Sequence, residues 1–438
     1  MLSPGLSLTK AALIALSLVT FTSASPVYHL AKRDNPYAAR GDVMIQAFYW
    51  ESVHDHKGGW YDILNDNVPN LQGHFTYAWL PPVSDAAEDD AKDAQGYLPR
   101  NWNKLDSQYG TEVSLRRVLK SLAGANIKSM ADIVVNHRVG QFNWGDFAEP
   151  SFGDNQAAVC YTDEWAHPPP DAKGVVGYPT GGQDTGEPFI GGRDLDHNNP
   201  AVQNGVITYL RDRLKGVGFT AWRYDFVRGF APRFIKQYND ASTPEISFGE
   251  FWLDRQPAPD PQTIFKWIQD TGSASGAIDF STRFLLSSAI NRNRYDLLRN
   301  GENPAGLIGL APGYTMTFVD NHDTARKDPK APSVPFPGDP MVGYAYILTH
   351  PGIPCVFWLD YINNLKSQID PLIEARKAAG VHSLSPVRID QADSTVYAAY
   401  IAGTIGRLAV KIGPGNWVPC DTSFTLVGQG ARWAVWRG

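Results

Sequence analysis

Cysteine is scarce in this sequence: Cys160, Cys355 and Cys420 are the only three in 438 residues. An odd count leaves at least one thiol unpaired, which excludes a disulfide framework as the main source of stability. Core burial or a bound metal must supply it instead. Cys355, in the apolar run IPCVFW, reads as a small buried hydrophobe. Positive charge is not in excess either. The formal net charge is −6, so a basic nucleic-acid surface is excluded. No apolar run is long enough to span a bilayer, so no membrane attachment is expected. There is no Asn-x-Ser/Thr glycosylation sequon, no internal repeat and no low-complexity tract.

What is present begins at the N-terminus. Lys10 precedes AALIALSLVTF, 11 residues long, and then the small residues TSAS. This is the pattern of a secretory signal peptide over 1–25, cleaved near Ala24 or Ser25. VYHLAKR follows and ends in the dibasic pair Lys32-Arg33, which marks a short pro-peptide over 26–33. The expected product is a secreted, extracellular monomer starting near Asp34. The sequence is rich in aromatics, with 13 Trp, 19 Tyr and 20 Phe. Most should pack a large core, and those at loop tips are good platforms for sugar rings.

Short apolar segments recur along the chain and read as strands: 43–50, 75–82, 127–137, 219–227, 245–252, 277–280, 315–323 and 353–358. Helical patterns lie between most of them, as in SLRRVLKSLAGA (114–125), AVQNGVITYLRDRLKGVG (201–218) and PMVGYAYILTH (340–350). Eight strands alternating with helices predict an α/β fold, a (β/α)8 TIM barrel, over 34–137 and 199–381. The stretch 138–198 is too long for a simple loop and is rich in Gly, Pro and Asp. It reads as a functional insertion after the third strand. Past Val381 the helical pattern stops. TVYAAYIAG, RLAVKIG and RWAVWRG then predict a small antiparallel β-domain over 382–438.

One strand raises a question of chemistry. FTAWRYDFVRG carries Arg223 and Asp225 inside an apolar run. Two residues apart, they share one face of the strand, near the barrel end that carries active sites. Glu250 in FGEFW and Asp320 and Asp323 in FVDNHD end two other strands. Asn136 and His137 close the third. A single buried ion pair or helix cap could be structural, but so many charges at one rim need a chemical reason. Paired carboxylates suit glycoside hydrolysis, one attacking or activating water and the other donating a proton. A metal hydrolase would want a His-x-His set at the strand ends, which is absent. A Schiff-base enzyme would want a strand-end Lys, where this chain has an Arg that cannot deprotonate. DTARKDPK and LDYINN are poor matches to phosphate-binding turns.

ADIVVNH, WRYDFVRG, FGEFW and FVDNHD, in this order and spacing, resemble the four signature segments of the α-amylase family of glycoside hydrolases. QGYLPRNWNKLDSQYG, FIGGRDLDHNNP and GYAYILTHPGIPCVF resemble that family too. The pattern is most similar to plant-type α-amylases and bacterial maltotetraose-forming amylases, from about Asp42 to the C-terminus. The resemblance implies a retaining endo-hydrolase of α-1,4-glucans. Exo attack releasing maltotetraose, transglycosylation, or glucan binding without turnover are the alternatives.

The same resemblance implies roles. Asp225 would be the nucleophile, Glu250 the general acid and then base, and Asp323 the residue that holds sugar hydroxyls. Arg223 would keep Asp225 ionised, since an opposite charge lowers a carboxylate pKa. Glu250 needs a raised pKa, which Phe248, Phe251 and Trp252 could supply. His137 and His322 would bond the sugar, Tyr97 would stack on it, and Arg228 could reach a hydroxyl on the product side. Trp79, Trp102, Trp144, Phe230 and Trp252 are further candidate platforms. A structural Ca²⁺ is implied between barrel and insertion, held by Asn136, Asp184, Glu187, Asp194 and the carbonyl of Gly229. These are hard oxygen donors, as Ca²⁺ requires. Glu187 stands where relatives have Asp. Relatives also carry Lys-His where this chain has Arg228-Gly229, and the segment after Trp358 is short.

Overall fold

The computed structural model describes residues 37–55, 59–87, 93–142, 145–163, 178–253, 259–325 and 334–438. The expected signal peptide and pro-peptide, and Trp144, lie outside them. Eight parallel strands close into a barrel. They are β1 (Met44–Gln46), β2 (Tyr77–Leu80), β3 (Lys128–Ile133), β4 (Ala221–Tyr224), β5 (Ser247–Gly249), β6 (Gly276–Ile278), β7 (Thr315–Phe318) and β8 (Ile353–Phe357). Each pairs with its sequence neighbours, and β8 returns to β1. Seven of the eight expected strand segments contain one of them, and the segment 277–280 overlaps β6, which starts at Gly276. All their residues are buried except Lys128. That is why they read as continuous apolar runs: helices cover the outer face and side chains fill the inner one.

Helix α1 (Glu112–Gly124) shows how the cover is built. Leu115, Val118, Leu119 and Leu122 line one face and are buried. Thr111 caps its start by accepting from the Ser114 amide at 3.2 Å. The expected helix 201–218 is helical up to Val217, with one widened turn over Tyr209–Leu214, and Gly218 caps its end. The insertion is tied to the end of β3. His137–Arg138 pairs antiparallel with Arg193–Asp194, and the Leu195 amide donates to the Asn136 carbonyl at 2.9 Å.

The tail forms a five-stranded antiparallel sheet of β9 (Val387–Ala392), β10 (Tyr397–Ala402), β11 (Arg407–Ile412), β12 (Thr425–Gly430) and β13 (Trp433–Arg437), in the order β9-β10-β11-β13-β12. It packs on helix α2 (Pro340–Thr349), in which every residue from Met341 on is buried. At the junction, His350 Nε2 lies 2.8 Å from the Tyr397 hydroxyl. Arg376, wholly buried in helix α3 (Lys366–Ala379), donates to the carbonyls of Leu348, His350 and Gly352. It thereby satisfies acceptors that the end of α2 would otherwise leave unpaired.

Candidate active site

Strand register assembles the site. Arg223 pairs with Asp132 of β3 on one side and with Phe248 of β5 on the other. Tyr224 is level with Gly249, so Asp225 and Glu250 leave adjacent strands at the same height. Arg223 Nη1 donates to Asp132 Oδ1 at 2.7 Å and to Asp225 Oδ1 at 2.8 Å. Its Nη2 lies 2.9 Å from Glu250 Oε2. One guanidinium therefore stands among three carboxylates. Its own side chain is 0% exposed, whereas those of Asp225 and Glu250 are 12% and 10% exposed. Asp323 is more open and lies 3.2 Å from His322 Nε2.

Charge balance in this pocket favours a retained proton. Burial pushes Glu250 up to about 8, against the pull of Arg223 and with help from the charges of Asp225 and Asp323. Burial also lifts Asp225 to about 6, again opposed by Arg223 and reinforced by Asp132 and Asp323. Arg223 was expected to keep Asp225 ionised, and its charge and hydrogen bond do pull that carboxyl down. The net shift is still upward, because desolvation outweighs one shared cation. The order of ionisation survives: Asp225 loses its proton before Glu250. Burial would lower Arg223, but the charges of Asp132, Glu250 and Asp225 more than offset it, so the guanidinium stays charged.

Asp132 was missed in the sequence. Besides Arg223, it accepts from Trp79 Nε1 at 3.1 Å and from the Tyr97 hydroxyl at 3.0 Å. The signal was available, since an acid inside an apolar strand is what singled out Arg223 and Asp225. Asp320, noted at the same strand end as Asp323, does not join this cluster. It pairs with buried Arg283 at 2.8 Å.

The predicted sugar ligands are placed as follows. His322 lies 2.8 Å from both Gln46 Nε2 and the Tyr97 hydroxyl. Trp50, Tyr97 and His322 have ring planes within 6° of one another. Trp50, partly exposed at the end of β1, was not singled out and is a better platform than several that were. Trp79, Trp102 and Phe230 are at most 2% exposed and cannot present a face to a sugar. Trp102 stacks on Tyr209 beneath Arg138, and Phe230 stacks on His197. Trp252 is partly exposed and stacks on Phe280. His137 is buried, lies flat on Phe189 and has its Nε2 2.7 Å from the Tyr97 carbonyl oxygen. Burial pushes it down to about 4, so it is neutral and holds the Tyr97 loop.

The proposed ion ligands divide into two groups. Asn136 Nδ2 donates to Asp194 Oδ1 at 3.0 Å, while Asn136 Oδ1 is buried with no hydrogen-bond partner among the described residues. The Gly229 backbone lies against the same amide, since a Cβ there would come 2.0 Å from Asn136 Oδ1. Asp184, Asp196, Asp194 and Asp163 all act on Cys160, whose thiol is pushed up by burial and by their charges. Among the described residues no three His, Cys, Asp or Glu converge on a metal site. An ion would draw on amide and main-chain oxygens together with Asp194, and an orphaned buried oxygen beside a carboxylate fits a hard cation. Glu187 does not belong to this set. Both its oxygens pair with Arg228, which also donates to the Trp252 carbonyl at 2.6 Å. Arg228 is thus committed to a clamp between insertion and barrel, not poised for a hydroxyl.

A (β/α)8 barrel with two carboxylates of unequal acidity on one arginine, at the strand C-termini, has the architecture of a glycoside hydrolase. Comparison with known proteins agrees. Residues 66–251 match the model of the α-amylase catalytic domain, and 378–437 match that of the α-amylase C-terminal β-sheet domain. Probable α-amylase 2 of Arabidopsis thaliana is 35% identical over 90% of this chain and 94% of its own. A glucan 1,4-α-maltotetraohydrolase of Roseateles saccharophilus is 26% identical over 98% of this chain and 79% of its own. The crystal structure of an Anoxybacillus α-amylase superposes with a TM-score of 0.64 at 17% identity, over 93% of this chain and 98% of that one. The chain belongs to the α-amylase family.

Proposed function

We propose that the protein is a secreted α-amylase that hydrolyses internal α-1,4 bonds of starch and related glucans with retention. The observation that carries this is the placement of Asp225 and Glu250 on the two Nη nitrogens of Arg223. The first is ionised at neutral pH and the second keeps its proton to about 8. In that division of labour, Glu250 protonates the departing glycosidic oxygen while Asp225 attacks the anomeric carbon. Glu250, now a carboxylate, then takes a proton from the water that releases the sugar. Asp323, more exposed and beside His322, would hold ring hydroxyls, with Trp50 and Tyr97 as the flanking wall.

A structural Ca²⁺ fits the junction of β3, the insertion and the turn after β4. Asn136 Oδ1, Asp194 and the Gly229 carbonyl would hold it, with Asp184 nearby. It would supply charge compensation and anchorage away from the reacting bond. The segments 1–25 and 26–33 would be removed, leaving a barrel over 34–137 and 199–381, an insertion over 138–198 and a tail over 382–438.

Asp225→Asn assayed on soluble starch tests the assignment, and near-wild-type turnover would sink it. The similarity to a maltotetraohydrolase keeps exo attack as the second possibility. A product time course on amylose separates the two: a spread of lengths for internal cleavage, one oligomer for exo attack. Products longer than the donor would indicate transglycosylation.

A further inference from the structure

Phe226 directly follows Asp225, and its backbone is left-handed, with φ +38° and ψ +53°. Bulky residues adopt this conformation only where their surroundings over-determine it. Glycine would adopt it without steric penalty, so the ring is there for a reason. That ring packs against Phe189 with centroids 5.3 Å apart, and Phe189 lies on His137 at 4.0 Å. The Phe189 amide donates to Asp194 Oδ2 at 3.4 Å. A column of rings rooted in the insertion therefore braces the turn after β4.

The brace acts on the acid. The Phe226 amide donates to Glu250 Oε2 at 3.2 Å. Arg223 Nη2 is close to the same oxygen but off the line that a hydrogen bond requires. Among the described residues the amide is the aligned donor to Glu250. An oxygen that accepts an N–H and faces a guanidinium is a poor seat for a proton, so the proton of neutral Glu250 belongs on Oε1.

We propose that Phe226 is a positioning residue: its ring-braced, left-handed backbone aims its amide at Glu250 Oε2 and so directs the transferable proton to Oε1. The proton leaves Oε1 for the glycosidic oxygen as the C–O bond breaks, its electron pair going to that oxygen. In the second half-reaction Oε1 accepts a proton from the attacking water. This rests on Glu250 being the general acid. The charged groups facing Glu250 are Arg223 and Asp225 at the end of β4, Asp132 from β3 and Asp323 from the turn after β7.

Two variants test it. Phe226→Gly permits the same backbone but removes the brace, and Phe189→Ala removes the brace from the other side. Each should lower kcat on maltoheptaose roughly tenfold or more with little change in KM. The loss should be much smaller on a 2,4-dinitrophenyl maltoside, whose leaving group needs little protonation. The alkaline limb of kcat should rise by about half a pH unit, because the Glu250 anion loses a donor. Phe226→Leu, which keeps an apolar brace, should restore most of the activity. If Phe226→Gly fails to fold, Phe189→Ala carries the same measurement. Glu250→Gln is run in parallel. Activity retained there overturns the acid assignment itself. An inactive Glu250→Gln alongside folded brace variants with wild-type limbs and equal losses on both substrates overturns the positioning role alone.

Discussion

Asp132 and Arg223 face each other in register on β3 and β4, Oδ1 to Nη1 at 2.7 Å, with neither side chain exposed. Asp132 competes for the cation that Asp225 also needs, and its own charge raises Asp225. Asp132→Asn removes both effects. The acid limb of kcat/KM should therefore move to lower pH. The variant should also unfold more easily, by roughly 1–3 kcal/mol, since Trp79 and Tyr97 lose a charged acceptor. An acid limb that stays in place would show that Asp132 is electrostatically silent at the nucleophile.

Glu250 makes the fold less stable as the medium becomes more alkaline. Its folded-state pKa of about 8 lies above that of an unfolded glutamate, so between about pH 4.5 and 8 the folded chain holds a proton that the unfolded chain has released. Stability is full below this window and lost across it as pH rises. Glu250→Gln cannot titrate. It should be inactive yet gain stability relative to wild type on going from pH 5 to 8, by roughly 3–4 kcal/mol at the upper end. Chemical denaturation at several pH values measures this, and parallel pH curves for the two proteins would contradict it.

The space around Asn136 yields a prediction for the ion. A methyl at Gly229 would lie 2.0 Å from Asn136 Oδ1, so Gly229→Ala must push the amide away. If Ca²⁺ binds there, chelation should lower the wild-type thermal midpoint, and the midpoint of Gly229→Ala should start low and respond little to added Ca²⁺. Isothermal titration of the chelated wild type gives an independent check. No heat above dilution would remove the ion from the account.

Two tryptophans chosen from opposite environments should part company. Trp50 shares the partly exposed ring wall with Tyr97, so Trp50→Ala should raise KM for maltoheptaose roughly fivefold, equivalent to about 1 kcal/mol of ring contact. Trp102 is buried under Arg138, so Trp102→Ala should cost about 3–5 kcal/mol of stability. Its KM should stay near wild type at a temperature where the variant is folded. Similar KM effects from both would show that burial was a poor guide here.

The strands and the rim acids were legible because burial on both faces leaves a near-continuous apolar run, against which Arg223, Asp225 and Glu250 stand out. Three things were not legible. Residue type does not say whether an aromatic faces the cleft or the core, hence Trp102 and Phe230. The sign of a shift depends on a balance between desolvation and a shared cation that only geometry sets, hence Asp225. A long side chain such as Glu187 or Arg228 chooses among partners within its reach, and their contact follows from how the insertion returns to the barrel.

The bond between His350 and Tyr397, with Arg376 closing the carbonyls beside it, makes the tail a wall of the barrel and not an appendage. A chain cut before Val387 would leave the apolar flank of α2 open to water and the imidazole of His350 without its phenol. Trimming this enzyme to its barrel and insertion is therefore a route to insoluble protein, and a smaller working version would have to rebuild that flank with polar side chains first.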